Sequence, residues 1–220
     1  MTHWARSALA LALFAAGCDE DAADAPQFSC ESMKDRELVF CDDFNDGAAE
    51  GWAPEGGSWS VADGRYLGSG PASLDGAECG VTRMTASLRE GTEATDVRMH
   101  AELGSLARVD KTLVLRAVDP SNRIELNFRD APYDDLMVQE IVACEARYLT
   151  EEGEIAVEQP EGERIEVDVE LVGRRLSVRV DGDTVLDREF DFANTAAGRV
   201  GVAVIDNATT TFDSVWVERP

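Results

Sequence analysis

Folded back on itself at Gly173-Arg174, the chain sets apolar residues opposite one another: Leu171 faces Leu176, Val169 faces Val178, and Val167 faces Val180. The alternate positions pair Glu170 with Ser177 and Asp168 with Arg179. One greasy lane and one wet lane at a period of two demand an antiparallel strand pair with a single buried face, and exclude a helix over the same residues. Glycine in the first loop position suits the tight turn such a hairpin needs. A second fold at Asp119-Pro120-Ser121-Asn122 predicts Leu113 opposite Phe128, Leu115 opposite Leu126 and Ala117 opposite Ile124. Its wet face then pairs Thr112 with Arg129, Val114 with Asn127 and Arg116 with Glu125. A further turn at Asp181-Gly182-Asp183 leads into residues 184–190, and the chain closes with strands at 199–205 and 210–217. From about residue 36 no helical period intervenes, and roughly twelve short strands follow. The fold class is therefore all-β, an antiparallel two-sheet sandwich, with Trp59 and Phe212 as core anchors.

The N-terminal segment reads differently. One arginine is followed by the unbroken apolar run 8–16, which as a helix rises only ~14 Å against a ~30 Å hydrocarbon core. That length fits the apolar part of a signal peptide. The run ends Ala15-Ala16-Gly17-Cys18, which resembles a bacterial lipobox, although Ala15 stands where such motifs usually place Leu. The resemblance implies acylation of Cys18 and an exported chain, lipid-anchored to the cell envelope on the periplasmic or outer side. An ordinary secretory signal with Cys18 near the cleavage site is the alternative. The organisation read from the sequence is residues 1–17 as signal, 18–35 as an acidic tether, and 36–220 as the sandwich.

Charge and cysteine usage bound the partners. With 44 acidic against 20 basic residues the net charge is −24. Such a surface repels nucleic acid and anionic headgroups, so contact with a membrane is expected through the lipid anchor only. Besides Cys18, four cysteines remain: Cys30, Cys41, Cys79 and Cys144. An even number in an oxidising compartment points to two disulfides. Three connectivities are open, and the favoured one joins Cys30 to Cys41 and Cys79 to Cys144. No CxxC or Cys/His cluster suggests zinc.

Three stretches carry a family resemblance. The opening Phe40-Cys41-Asp42-Asp43-Phe44, through Gly51-Trp52 to 57–64, is similar to the start of many concanavalin A-like lectin/glucanase domains. These include laminin-G-like and 3-keto-disaccharide hydrolase-like domains. The hairpin around Asp119–Asn122 and the closing segment 198–215 resemble the corresponding parts, so the likeness spans residues 38–217. It implies that the all-β, antiparallel two-sheet sandwich is a concanavalin A-like jelly roll, but it implies no single function, because the superfamily holds lectins, hydrolases and scaffold modules alike.

Three constellations carry candidate chemistry. Glu166-Val167-Asp168-Val169-Glu170 reads ExDxE and resembles the catalytic strand of family 16 glycoside hydrolases, with three carboxylates on one face. The expected pairing of Asp168 with Arg179 makes it a solvated acidic stripe and a decoy. The wet face of the second hairpin gathers Arg116, Glu125, Asn127 and Arg129, joined by Gln139 on the next strand and by Tyr133 in the intervening loop. Planar amide, guanidinium and carboxylate groups suit bidentate bonding to sugar hydroxyls, and Tyr133 adds a stacking platform. The superfamily likeness implies a structural Ca²⁺ at Asp43 and Asp213, with Asp42 as alternative to Asp43. His3 lies in the signal and His100 stands alone in a strand. The leading expectation is a non-catalytic sandwich binding carbohydrate or another extracellular polymer. The alternatives are a glycoside-cleaving enzyme of the family 16 or 3-keto-disaccharide hydrolase type and a purely structural surface module.

Overall fold

Alternating apolar residues turn this chain into two stacked sheets, each built so that every second side chain enters a shared core. The computed structural model describes residues 29–70, 84–105, 110–159, 162–205 and 209–220. The front sheet runs in the order β10 (Glu145–Tyr148), β9 (Asp135–Val142), β8 (Asn122–Arg129), β7 (Lys111–Asp119), β14 (Arg199–Ile205), β5 (Met84–Arg89), β2 (Trp52–Pro54). The back sheet runs β13 (Asp183–Glu189), β12 (Arg175–Val180), β11 (Arg164–Val172), β6 (Val97–Ser105), β15 (Thr209–Glu218), β4 (Arg65–Ser69), β3 (Ser58–Ala62). β1 (Leu38–Asp42) pairs with the second half of β15. Every pairing is antiparallel. Fifteen strands are formed among the described residues, against the roughly twelve that turn spacing suggests.

The β11–β12 hairpin has the register its sequence requires, with Val167↔Val180, Val169↔Val178 and Leu171↔Leu176. The β7–β8 hairpin does not. Lys111 faces Phe128, Leu113 faces Leu126 and Leu115 faces Ile124, two residues away from the expected pairing. The cause is a bulge centred on Arg116, whose backbone adopts φ +47°. A shift of two residues keeps the side chains of Lys111 to Leu115 on their expected faces, so the core and wet lanes survive there while individual partners change; past the bulge Ala117, expected opposite Ile124 in the core, packs with Val114, Ala86 and Ala203 instead.

Arg116 is thereby removed from the wet face. Its Nε donates to the Thr95 carbonyl at 2.7 Å, Nη2 to the Gly173 carbonyl at 2.6 Å and Nη1 to the Asn194 carbonyl at 3.3 Å. Asn194 Nδ2 returns a bond to the Arg116 carbonyl. The buried guanidinium thus ties three loops together at one end of the sandwich. Gly198 packs directly on the Arg116–Ala117 backbone, where a Cβ has no room. Glu140 closes the same end from inside, accepting the N–H groups of Ala193 and Asn194 and pairing with Arg147 at 2.7 Å.

The core contains Leu113, Leu115, Leu126 and Phe128 from the front sheet and Met99, Leu103, Val167, Val169 and Phe212 from the back. An aromatic file extends it: Phe44 stacks on Tyr66, Tyr66 on Trp59, and Trp59 on Phe212. Phe212 is fully buried; Trp59 is half-buried and covers Gly68, which can carry no side chain there. The Cys30–Cys41 disulfide forms as expected and fastens the segment before β1 to that strand. Cys144 is also disulfide-bonded; Cys79, Cys18 and the signal segment lie outside the described residues. Among the described residues no helix is long and apolar enough to cross a membrane.

Candidate functional site

Strand alternation puts Glu125, Asn127 and Arg129 of β8 on the outward face of the front sheet, opposite Gln139, Met137 and Asp135 of β9. Thr112 and Val114 of β7 continue the face. Four of the six residues expected to bind ligand, namely Glu125, Asn127, Arg129 and Gln139, therefore share one surface. Tyr133 overhangs it from the β8–β9 loop, while Arg116 belongs to the loop clamp described above.

The surface is unusual because its polar groups are buried. Glu125 is inaccessible, and Asn127 and Gln139 nearly so. Glu125 accepts from Arg123 Nε at 2.6 Å and from the Gln139 amide. Arg123 also reaches Glu55, one residue beyond β2, at 3.1 Å. Four inter-strand steps separate β8 from β2, roughly 19 Å along a flat sheet. A direct ion pair across that span requires a face curved inward. Small residues at Ala86, Ala203 and Gly201 line the bend. Along the next lane Thr112 Oγ1 donates to Asn127 Oδ1, and Asn127 Nδ2 donates to Asp110 at 3.4 Å.

At one end of this trough sits the Arg129 cluster. Its Nε and Nη2 donate to the two Asp135 oxygens at 2.7 and 2.6 Å, a bidentate pair, and Nη1 lies 3.5 Å from Glu152. Burial resists ionisation of Asp135, but the Arg129 bonds and the Gly153 N–H outweigh it and hold the carboxyl below its ordinary range. The guanidinium lies 4.0 Å from the ring centre of Tyr133, which stays 45% exposed. Tyr148 on edge strand β10, 63% exposed, faces the same side as Gln139. The trough thus has a locked polar floor and two exposed aromatic rings.

The back sheet's outward face is organised otherwise. Trp216, His100, Asp168 and Arg179 lie in register across four strands. His100 Nδ1 is 2.9 Å from Asp168, Arg179 donates to the other Asp168 oxygen at 3.1 Å, and the imidazole stacks on Trp216. The next lane pairs Glu218 and Glu170 with Arg98. A shallow cleft of about 720 Å3 follows these lanes. Hydrogen bonding from His100, with help from Arg179, holds the Asp168 carboxyl below its ordinary range despite its burial. Here the ExDxE motif is a charge ladder: Asp168 and Glu170 are both ion-paired, and Glu166 receives the Asp181 carboxylate on its backbone N–H.

The calcium expectation meets carboxylates already engaged. Asp43 accepts from Cys30 N and Asn45 N, and Asp213 accepts from Ser214 N and pairs with Arg164 at 3.0 Å. Asp42 instead holds Trp52 Nε1 and Phe44 N. Among the described residues no group of three or more His, Cys, Asp or Glu side chains is placed to hold a metal ion.

Sequence reasoning missed Lys111, Arg123 and Asp135. Lys111 opens β7 on its core-facing side, fully enclosed, with Nζ 2.7 Å from Gln159 Oε1 and 3.5 Å from Asp130. Burial pushes its ammonium below the ordinary lysine range. A Lys two residues before Leu113 and four before Leu115 breaks that apolar lane, and this was the available signal.

No protein-family profile matches the chain, and no curated protein matches its sequence. Solved structures do match in fold. A Bacillus subtilis protein of unknown function with a galectin-like fold aligns with TM-score 0.64 at 10% identity, over 84% of this chain and 96% of that one. The carbohydrate-binding module CBM66 from Bacillus subtilis aligns with TM-score 0.62 at 20% identity, over 76% and 95%. A xylan β-1,4-xylosidase from Bacillus halodurans aligns with TM-score 0.60 at 14% identity, over 81% of this chain and 39% of that enzyme. The chain shares the two-sheet, galectin-like sandwich fold of these structures.

Proposed function

We propose that this protein is an exported, lipid-anchored module that binds carbohydrate without catalysis, in the trough on the outward face of the front sheet. The observation that carries the reading is Tyr133, held over Arg129 above a polar floor and left 45% exposed. Ordinarily an exposed aromatic ring on a loop costs apolar hydration; one fixed in place by a guanidinium is preorganised for a sugar's C–H face. At the rim the exposed Glu152 carboxylate offers a planar hydrogen-bonding group, while the buried Asn127 and Asp135 hold the floor in shape. CBM66 binds carbohydrate by name on the same fold, which supports the reading but does not carry it.

A glycan array probed with the wild type and with Tyr133→Ala tests it. Binding to at least one oligosaccharide class, weakened about tenfold or more in the variant with an unchanged melting temperature, is expected. Equal binding by both proteins would remove the trough from the account.

The hydrolase reading lacks a comparable observation. The ExDxE carboxylates lie on the opposite sheet, where Asp168 is engaged by His100 and Arg179 and Glu170 by Arg98.

A further inference from the structure

We propose that Lys111 is the positioning residue of the Tyr133 loop: a buried ammonium that holds the ligand-contacting ring in place from beneath. The inference rests on the trough reading for its functional half and on geometry alone for its structural half.

The loop between β8 and β9 spans residues 130–134; its far end is held where Val157 N donates to the Asp134 carbonyl at 2.9 Å, and its near end is held at Asp130. Tyr133 N bonds the Asp130 carbonyl, and Ala131 N bonds Asp130 Oδ1 at 2.7 Å. Asp130 is therefore the base of the loop, and its Oδ2 faces Lys111 Nζ at 3.5 Å. Lys111 also donates to Gln159 Oε1, and Gln159 Nε2 in turn donates to the Arg129 carbonyl at 2.8 Å. Through these two bonds one ammonium grips both ends of the Arg129-Asp130 step, on which the Arg129–Tyr133 stack depends. Asp110, next to Lys111, closes the ring by accepting from Asp130 N and Asn127 Nδ2.

A charge so enclosed is an expensive way to stabilise a sandwich, since apolar replacement of buried ion pairs is often neutral or better. Its value lies in fixing where the loop sits. The consequence separates a positioning role from a structural one. Removing the ammonium should loosen residues 130–135 while leaving the sheets intact.

The experiment compares the wild type with Lys111→Met and Gln159→Met, both close to isosteric. Backbone amide exchange is measured residue by residue, alongside the melting temperature and affinity for whichever array oligosaccharide the wild type binds best. Expected are faster exchange confined to residues 130–135 in both variants and affinity lowered about tenfold through lost preorganisation, with a melting temperature within a few degrees of wild type for Gln159→Met and a larger drop for Lys111→Met, which leaves Asp130 buried without its cation. Unchanged exchange in that loop in both variants overturns the proposal, as does acceleration spread evenly over both sheets. Should Lys111→Met fail to fold, Gln159→Met, which keeps the Lys111–Asp130 pair and cuts only the link to Arg129, decides alone. Loosened exchange with no glycan bound by the wild type would leave the clasp standing and sink the trough reading instead.

Discussion

The two outward faces of this sandwich are built from the same kinds of residue and come out as opposites. On the back sheet, polar groups alternate across strands near the surface: Glu218, Arg98 and Glu170 in one lane, and in the next a half-exposed Asp168 bonded by His100 and paired with the exposed Arg179. On the front sheet, Arg123–Glu125–Gln139 and Arg129–Asp135 are pulled out of water by a surface that curves over them. Curvature decides the difference. An exposed ladder keeps a sheet soluble and adds little stability, whereas an enclosed network must be fully satisfied and then fixes geometry. Preorganised geometry of that second kind is what a binding face needs.

The contrast is open to mutation. Asp135→Ala strips Arg129 of its bidentate partner in an enclosed site and should cost roughly 3–5 kcal/mol of unfolding free energy. The matching cut on the back sheet, Asp168→Ala, should cost about 1 kcal/mol or less. Chemical denaturation of both variants checks the gap, and equal losses would erase the distinction between the faces. Arg116→Met should fall between them, about 2–3 kcal/mol, because three loop carbonyls lose a charged donor. Acid should act in the same sense on both faces. The Asp135 and Asp168 carboxyls titrate below their ordinary range in the folded state. Their stabilisation is therefore complete above a pH of about 4 and lost as the pH falls through the depressed values. Asp135→Asn should flatten the acid limb of a stability-against-pH curve measured by urea titration. Smallest of all, a chelator should leave the melting temperature unchanged, since Asp43 and Asp213 are already occupied by protein donors.

What was legible in the sequence follows the same physical divide. The β11–β12 hairpin was readable to the residue because nothing interrupts its alternation and its turn is tight. For β7–β8 the faces were readable and the pairing was not. The bulge at Arg116 depends on Thr95, Gly173 and Asn194, which no local pattern links to it. Glu125, Asn127, Arg129 and Gln139 could be assigned to one surface by counting in twos. That the surface encloses them depends on curvature, a property of the whole sheet. Lys111 was hidden for a related reason: a lysine at a strand end reads as solvent-facing until the 155–159 segment is known to cover it.

The account stands or falls on which face meets the ligand, and one comparison addresses it directly: oligosaccharide binding by Tyr133→Ala beside that of Asp168→Ala, on a common glycan array. Loss of binding in the first with wild-type binding in the second is the predicted result. Binding that survives without the Tyr133 ring and disappears when the back-sheet ladder is cut would place the ligand on the opposite side of the molecule and contradict the account.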